Sequence, residues 1–191
     1  MKKPIPTGLL LHPKTRSAWR NWLAKNYKSK EQIWLVCFKH HTGKPRIQYN
    51  DAVEEALCFG WIDSTVRSLN TEQFAQRFTP RRKTSTFSPA NVERLRHLVA
   101  RGLVAMDILK TLPDLSQNRL RIAADVLAAI KANEQAWKHF RKLLKSYIRI
   151  RIGYIEGARK RPQEFHKRLS YFVKMTAMNR QFGFGGIDKH Y

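Results

Sequence analysis

Acidic residues are scarce in this chain. Its 191 residues hold 14 Asp and Glu against 37 Lys and Arg, a formal net charge of +23. The excess is even, with +11 on residues 1–100 and +12 on residues 101–191, so it is not a basic tail. A field of this size favours polyanions such as nucleic acid, anionic lipid or a phosphorylated ligand. Cysteine is rarer still. Cys37 and Cys58 sit in the apolar runs VCF and LCF, which reads as two buried, reduced thiols and excludes a disulfide framework. Neither has ligand neighbours at zinc spacing, and the His40–His41 pair has no second pair downstream, so no metal is expected.

Long apolar runs are missing too. Lys2 and Lys3 precede only Leu9, Leu10 and Leu11, far short of the roughly 7–15 residues of a secretory h-region. Nothing approaches the roughly 18 apolar residues of a spanning helix. The expectation is a cytoplasmic protein with no transmembrane segment. Catalytic signatures are equally absent: no phosphate-binding glycine loop, G-x-S-x-G, H-E-x-x-H or dinucleotide fingerprint occurs. Glu54 and Glu55 are adjacent and on a helix point in different directions. Cys58 has apolar flanks, Leu57 and Phe59, and burial raises a thiol pKa. The sequence therefore leans away from an enzyme, with no catalytic residue and no cofactor.

Hydrophobic residues make up 42%, enough for a folded core. Residues 1–16 carry Pro4, Pro6 and Pro13 and read as an irregular arm. Ser17 is a candidate N-cap, and Trp19, Trp22 and Leu23 give the helix after it one apolar face. Residues 32–39 (QIWLVCFK) read as a buried strand, and 46–49 as a short extended piece. Asn50 caps a second helix that stops at Gly60.

Residues 61–68 and 72–79 alternate and form an antiparallel hairpin. Ile62 and Val66 lie on one face of the first strand, with Trp61, Asp63, Thr65 and Arg67 on the other. In the second, Phe74 and Phe78 oppose Gln73, Arg77 and Thr79. Ser88 and Pro89 open another helix that Gly102 ends.

From residue 116 the pattern is helical, in about four segments. Leu120, Ala123, Ala124 and Leu127 form one stripe, and Ala136, Trp137, Phe140 and Leu144 the next. The run IRIRI at 148–152 alternates like a strand, but Ile148, Ile152 and Ile155 share a helical face, so a helix is expected, with Arg149 and Arg151 off that face. Pro162 opens the last helix, and 181–191 reads as a mobile tail. The fold class is α+β: a small antiparallel sheet with packed helices, followed by a helical C-terminal half. The domains are 1–110 and 111–182, with a tail at 183–191.

Three stretches carry a resemblance: AVEEALCFGWIDS with RFTPRRKTSTFS and Asn91, the earlier WLVCFKHHTGKPRIQYNDA, and the C-terminal SYIRIRIGYIEGARKRP. Over roughly residues 15–182 the chain resembles the bacterial YdeI/OmpD-associated family, also called OmdA or bacteriocin-protection. The match is most specific at 52–91. Ile148, Ile150 and Phe165 stand where that family is commonly more polar. The resemblance implies an association with bacteriocin or cationic-peptide resistance and with a porin, and no reaction.

The richest constellation is on the hairpin. If Asp63 and Arg77 occupy the polar faces of adjacent strands, they pair, with Trp61 beside them. Arg81 and Arg82 follow, and Ser85, Ser88 and Asn91 lead into a helix N-terminus. Guanidinium groups, hydroxyls and free N–H groups so placed form a candidate anion site. The classes left open are a binding or interaction protein for an anionic ligand or protein partner, a nucleic-acid binder using Trp61 and Phe78 near the arginines, and an enzyme on a small anionic substrate. A deep pocket at Asp63 favours the enzyme. Exposed aromatics on a basic face favour nucleic acid.

Overall fold

A computed structural model describes residues 5–82, 84–115 and 121–183. The chain forms two compact units, Met1–Thr86 with Leu98–Leu112, and Phe87–His97 with Pro113–Tyr191.

The first unit is built on a four-stranded mixed sheet: β1 (Leu10–Leu11), β2 (Ile33–Phe38), β3 (Trp61–Ser68) and β4 (Gln73–Pro80), in the order β1-β2-β4-β3. β4 lies antiparallel between β2 and β3, and β1 pairs parallel with β2. The arm expected to be irregular therefore supplies a strand, because Leu10 and Leu11 gain backbone partners opposite Trp34 and Leu35. Residues 46–49 add no strand to the sheet.

Helix α1 (Arg16–Asn26) is capped by Thr15 rather than Ser17, its hydroxyl accepting from the Ala18 N–H at 3.1 Å. Helix α2 (Tyr49–Cys58) begins one residue before Asn50, which is buried inside it. The α1 tryptophans cover one sheet face. Trp19 packs on Phe78 at 5.3 Å between centroids and Trp22 meets Trp61 edge-on at 5.9 Å. The Trp19 indole N–H donates to the Ala52 carbonyl, so burial leaves no orphan donor. The opposite face holds a smaller core of Trp34, Val36 and Ala75 under Ile5, Leu9 and Leu10. Gly60 ends α2 at φ +71°, where a side chain would also meet Ile108.

The second unit is helical. Helix α3 (Pro89–Ala100) contributes its first part, residues 89–97; α4 (Met106–Leu109) belongs to the first unit. Then follow α5 (Ala124–Lys131), α6 (Glu134–Phe140), α7 (Lys145–Glu156) and α8 (Pro162–Ala177). The core gathers Val126 and Ile130 of α5, Phe140 of α6, Ile148, Ile152 and Ile155 of α7, and Phe165, Leu169 and Phe172 of α8.

The α5 stripe is shifted from its expected phase. Val126 and Ile130 are buried and Ala124 is exposed; Leu120 lies outside the described residues. The 148–155 run is helical as the spacing requires. Its arginines leave the isoleucine face but not the interior. Arg151 is buried against the rings of Tyr147 and Phe182, and Arg149 clamps Glu93. Phe182, at the start of the expected tail, is docked, its N–H bonded to the Tyr147 hydroxyl at 3.1 Å. Residues 184–191, the rest of that tail, are outside the described set.

Gly153 lets α7 approach α3. A Cβ there would stand 2.6 Å from Cγ and 2.9 Å from Cβ of Pro89, whose ring cannot swing away. Gly153→Ala is expected to destabilise the second unit by about 1–2 kcal/mol, overpacking outweighing the gain in helix propensity. Urea unfolding of the two proteins measures the difference.

Candidate functional site

The hairpin forms as the sequence implies, but its register separates the expected partners. Asp63 stands opposite Phe78, and Ile62 opposite Thr79. Directly opposed residues share a face, so Asp63 lies on the side of Phe78, while Arg77 points to the other side. Between Asp63 and Val66 the register shifts: β3 advances three residues while β4 advances two, from Phe78 to Gln76. This irregularity returns Val66 to the Asp63 face and moves Arg67 to that of Arg77. Asp63 makes no ion pair among the described residues. Its Oδ2 accepts from the Tyr49 hydroxyl at 3.0 Å and from Gln76 Nε2 at 2.8 Å. Arg77 Nε instead donates to Gln32 Oε1 at 2.8 Å.

Several of the remaining candidates serve the fold. Trp61 is 1% exposed, and its indole N–H donates to the Tyr27 carbonyl, so it is core rather than a ligand platform. Phe78 is fully buried, which removes both aromatics proposed for stacking bases. Arg81 is half-buried; its backbone N–H holds the Gly60 carbonyl, and burial lowers its guanidinium pKa. Ser88 and Asn91 belong to the second unit. The Ser88 hydroxyl caps α3 by accepting the Asn91 N–H, and the Asn91 Oδ1 accepts from Arg94 at 2.7 Å. Arg77, Arg82 and Ser85 do come together, along one open groove of about 830 Å³.

That groove runs along the Arg77 face of the hairpin. Residues 27–31, the turn leaving α1, form one wall; Ile62, Ser64, Arg77, Thr79 and Pro80 form the floor, and Arg82 and Ser85 the far end. Among the described residues four cations line it, Lys28, Lys30, Arg77 and Arg82, against one acid, Glu31. Lys28 is neutralised by Asp107 at 3.0 Å, and its hydrogen bond holds that carboxyl below its ordinary pKa. Among the described residues Arg77 is tied to a neutral amide, that of Gln32. Lys30 and Arg82 have no side-chain partner among the described residues. The sequence marker for the missed wall was the turn YKSK, whose two lysines flank a hydroxyl.

Among the described residues the lining of the groove holds no histidine or cysteine. Cys58 is buried, and burial pushes its thiol up to about 11, with the Glu55 charge adding to the shift. Among the described residues no group of three His, Cys, Asp or Glu side chains could hold a metal. Glu54 and Glu55 do converge, contrary to expectation, because both bind Arg16: Nη2 to Glu54 at 2.9 Å and Nε to Glu55 at 2.6 Å. Burial alone would lower the Arg16 pKa, but these carboxylates hold it above its ordinary value. Among the described residues no helix is long and apolar enough to cross a membrane.

Two family models match this chain. Residues 11–111, just over half its length, match the one described as Domain of unknown function (DUF8412). Residues 119–179 match OmdA, described as Bacteriocin-protection, YdeI or OmpD-Associated. The second match falls on the helical half, whereas the stretch at 52–91 that carried the resemblance falls within the first. No curated protein and no solved structure matches. The chain therefore belongs to the DUF8412 family of unknown function and carries an OmdA domain, of the bacteriocin-protection, YdeI or OmpD-associated family, at residues 119–179.

Proposed function

We propose that this chain is a binding protein for a phosphate- or carboxylate-bearing ligand, held in the groove of Arg77, Arg82 and Lys30, and that binding serves the resistance role named for OmdA proteins. The observation that carries this reading is a groove in which, with Lys28 neutralised by Asp107, the three other described cations face a single acid, Glu31, while Arg82 and Lys30 have no side-chain partner among the described residues. Like charges held together in this way repel unless an anion joins them. The hydroxyls of Ser64, Thr79 and Ser85 add neutral donors. The enzyme alternative loses support because Asp63 does not line the groove, and the nucleic-acid alternative because Trp61 and Phe78 are buried.

Calorimetric titration with inorganic phosphate and pyrophosphate tests the proposal. Arg82 is exposed, so Arg82→Ala leaves the fold intact. Loss of one charge-assisted hydrogen bond, about 1.5–3 kcal/mol, should weaken binding at least tenfold. Equal affinity in wild type and Arg82→Ala would rule the groove out. Duplex and single-stranded DNA, titrated from low to near-physiological salt, tests the alternative. Binding that falls steeply with salt and ignores Arg82→Ala would mark the general positive field as the binding element.

A further inference from the structure

We propose that the turn joining α6 to α7 in the second unit docks on anionic lipid membranes. The turn reads Arg141-Lys142-Leu143-Leu144 before Lys145 opens α7. Leu144 is 55% exposed, although its helical spacing from Ala136 and Phe140 predicted a core position. It is also the N-cap of α7, with extended backbone and no side-chain capping bond. Ser, Thr, Asp or Asn stabilises that position, and leucine is among the poorest choices. An exposed leucine that fills a capping site without capping is a local conflict that folding does not account for.

Its surroundings are one-signed. Residues 131–145 hold Lys131, Lys138, Arg141, Lys142 and Lys145 against one acid, Glu134. None of the five cations has a carboxylate partner among the described residues. Lys138, Arg141 and Lys142 follow at the i, i+3, i+4 spacing of one helical face. Trp137 is half-buried beside them, stacked on Phe140, with Lys131 5.2 Å and Arg141 5.7 Å from its ring centre.

This pattern separates a membrane from nucleic acid. The Trp137 face is already occupied by cations and so offers no platform for a base, while a bare leucine gains nothing from a phosphate backbone. A bilayer uses both features: cations bind the anionic headgroups, and a leucine at the tip enters the acyl boundary.

The test is sedimentation of the full chain with vesicles of phosphatidylcholine alone and of phosphatidylcholine mixed in roughly equal parts with phosphatidylglycerol. Binding to the mixed vesicles only, reduced by salt, is expected. Each headgroup-level cation is worth about fivefold in affinity, so Lys142→Glu with Lys145→Glu should weaken binding more than tenfold. Leu144→Ser should weaken it about five- to tenfold while the melting temperature holds or rises, since serine caps α7. Arg82→Ala should leave vesicle binding unchanged. No binding to mixed vesicles overturns the proposal, as does binding indifferent to both sets of changes. Duplex DNA binding that is lost with the lysine pair but kept in Leu144→Ser, without vesicle binding, assigns the surface to nucleic acid and overturns it as well.

Discussion

Glu93→Ala is expected to destabilise the second unit by about 3–5 kcal/mol, the usual consequence of removing one partner from a buried charge pair. Only 4% of the Glu93 side chain is exposed. Arg149 holds it with two bonds, Nε to Oε1 at 2.8 Å and Nη2 to Oε2 at 2.6 Å, and Arg96 Nη1 also donates to Oε1. Alanine would leave two guanidinium groups facing each other with little water to screen them. The loss should change little with salt, because buried charges lie beyond the reach of counterions. Combining Glu93→Leu with Arg149→Met should recover part of it, since apolar groups of similar volume replace that pair while Arg96 keeps its bond to the Leu115 carbonyl. Urea unfolding at low and high salt measures all three proteins. A loss below about 1 kcal/mol for Glu93→Ala would mean that water already compensates the arginines.

Arg16→Met is expected to lower the stability of the first unit by about 2–3 kcal/mol, less than the full buried-pair value because the guanidinium keeps some access to water. One side chain gathers three carboxylates: Asp51 at 2.6 Å, Glu54 at 2.9 Å and Glu55 at 2.6 Å. Arg20 supports only Glu55, at 2.7 Å. Without Arg16 the buried Glu54 carboxylate has lost its guanidinium, and three negative charges crowd one turn and a half of α2. Adding Glu54→Gln to Arg16→Met should restore part of the loss. Chemical denaturation of the single and double variants checks this, and a double variant no better than the single one would show that the stabilisation comes from the stem of Arg16 rather than its charge.

Both networks explain how so basic a chain uses its few acids. Glu54, Glu55 and Glu93 are placed inside, each holding an arginine, and Asp51 joins them at the edge. Some surface lysines and arginines then have no carboxylate partner among the described residues, and Arg82 in the groove and the cations around Leu144 are two such places. The sequence suggested the first through the run RFTPRR but not its wall at Lys28 and Lys30, which lies some fifty residues earlier. It gave no warning of the second, because Leu144 fits a core stripe in helical spacing.

Elements legible in the chain alone were those set by neighbours a few residues apart. Alternation marked β3 and β4, the spacing of Ile148, Ile152 and Ile155 made α7 a helix against its strand-like text, and Gly60 and Pro162 marked an end and a beginning. Those signals are local because backbone dihedrals and side-chain periodicity are local. The position of Asp63 was of another kind. Each strand had its faces sorted correctly near Asp63 and Arg77, but which face met which depended on the pairing of Asp63 with Phe78 and on the shift before Val66. One residue of register exchanges all partners, and nothing within either strand encodes it. The same holds for Arg149 reaching Glu93 across 56 positions and for Leu10 finding Trp34: such contacts exist only once the chain has closed on itself.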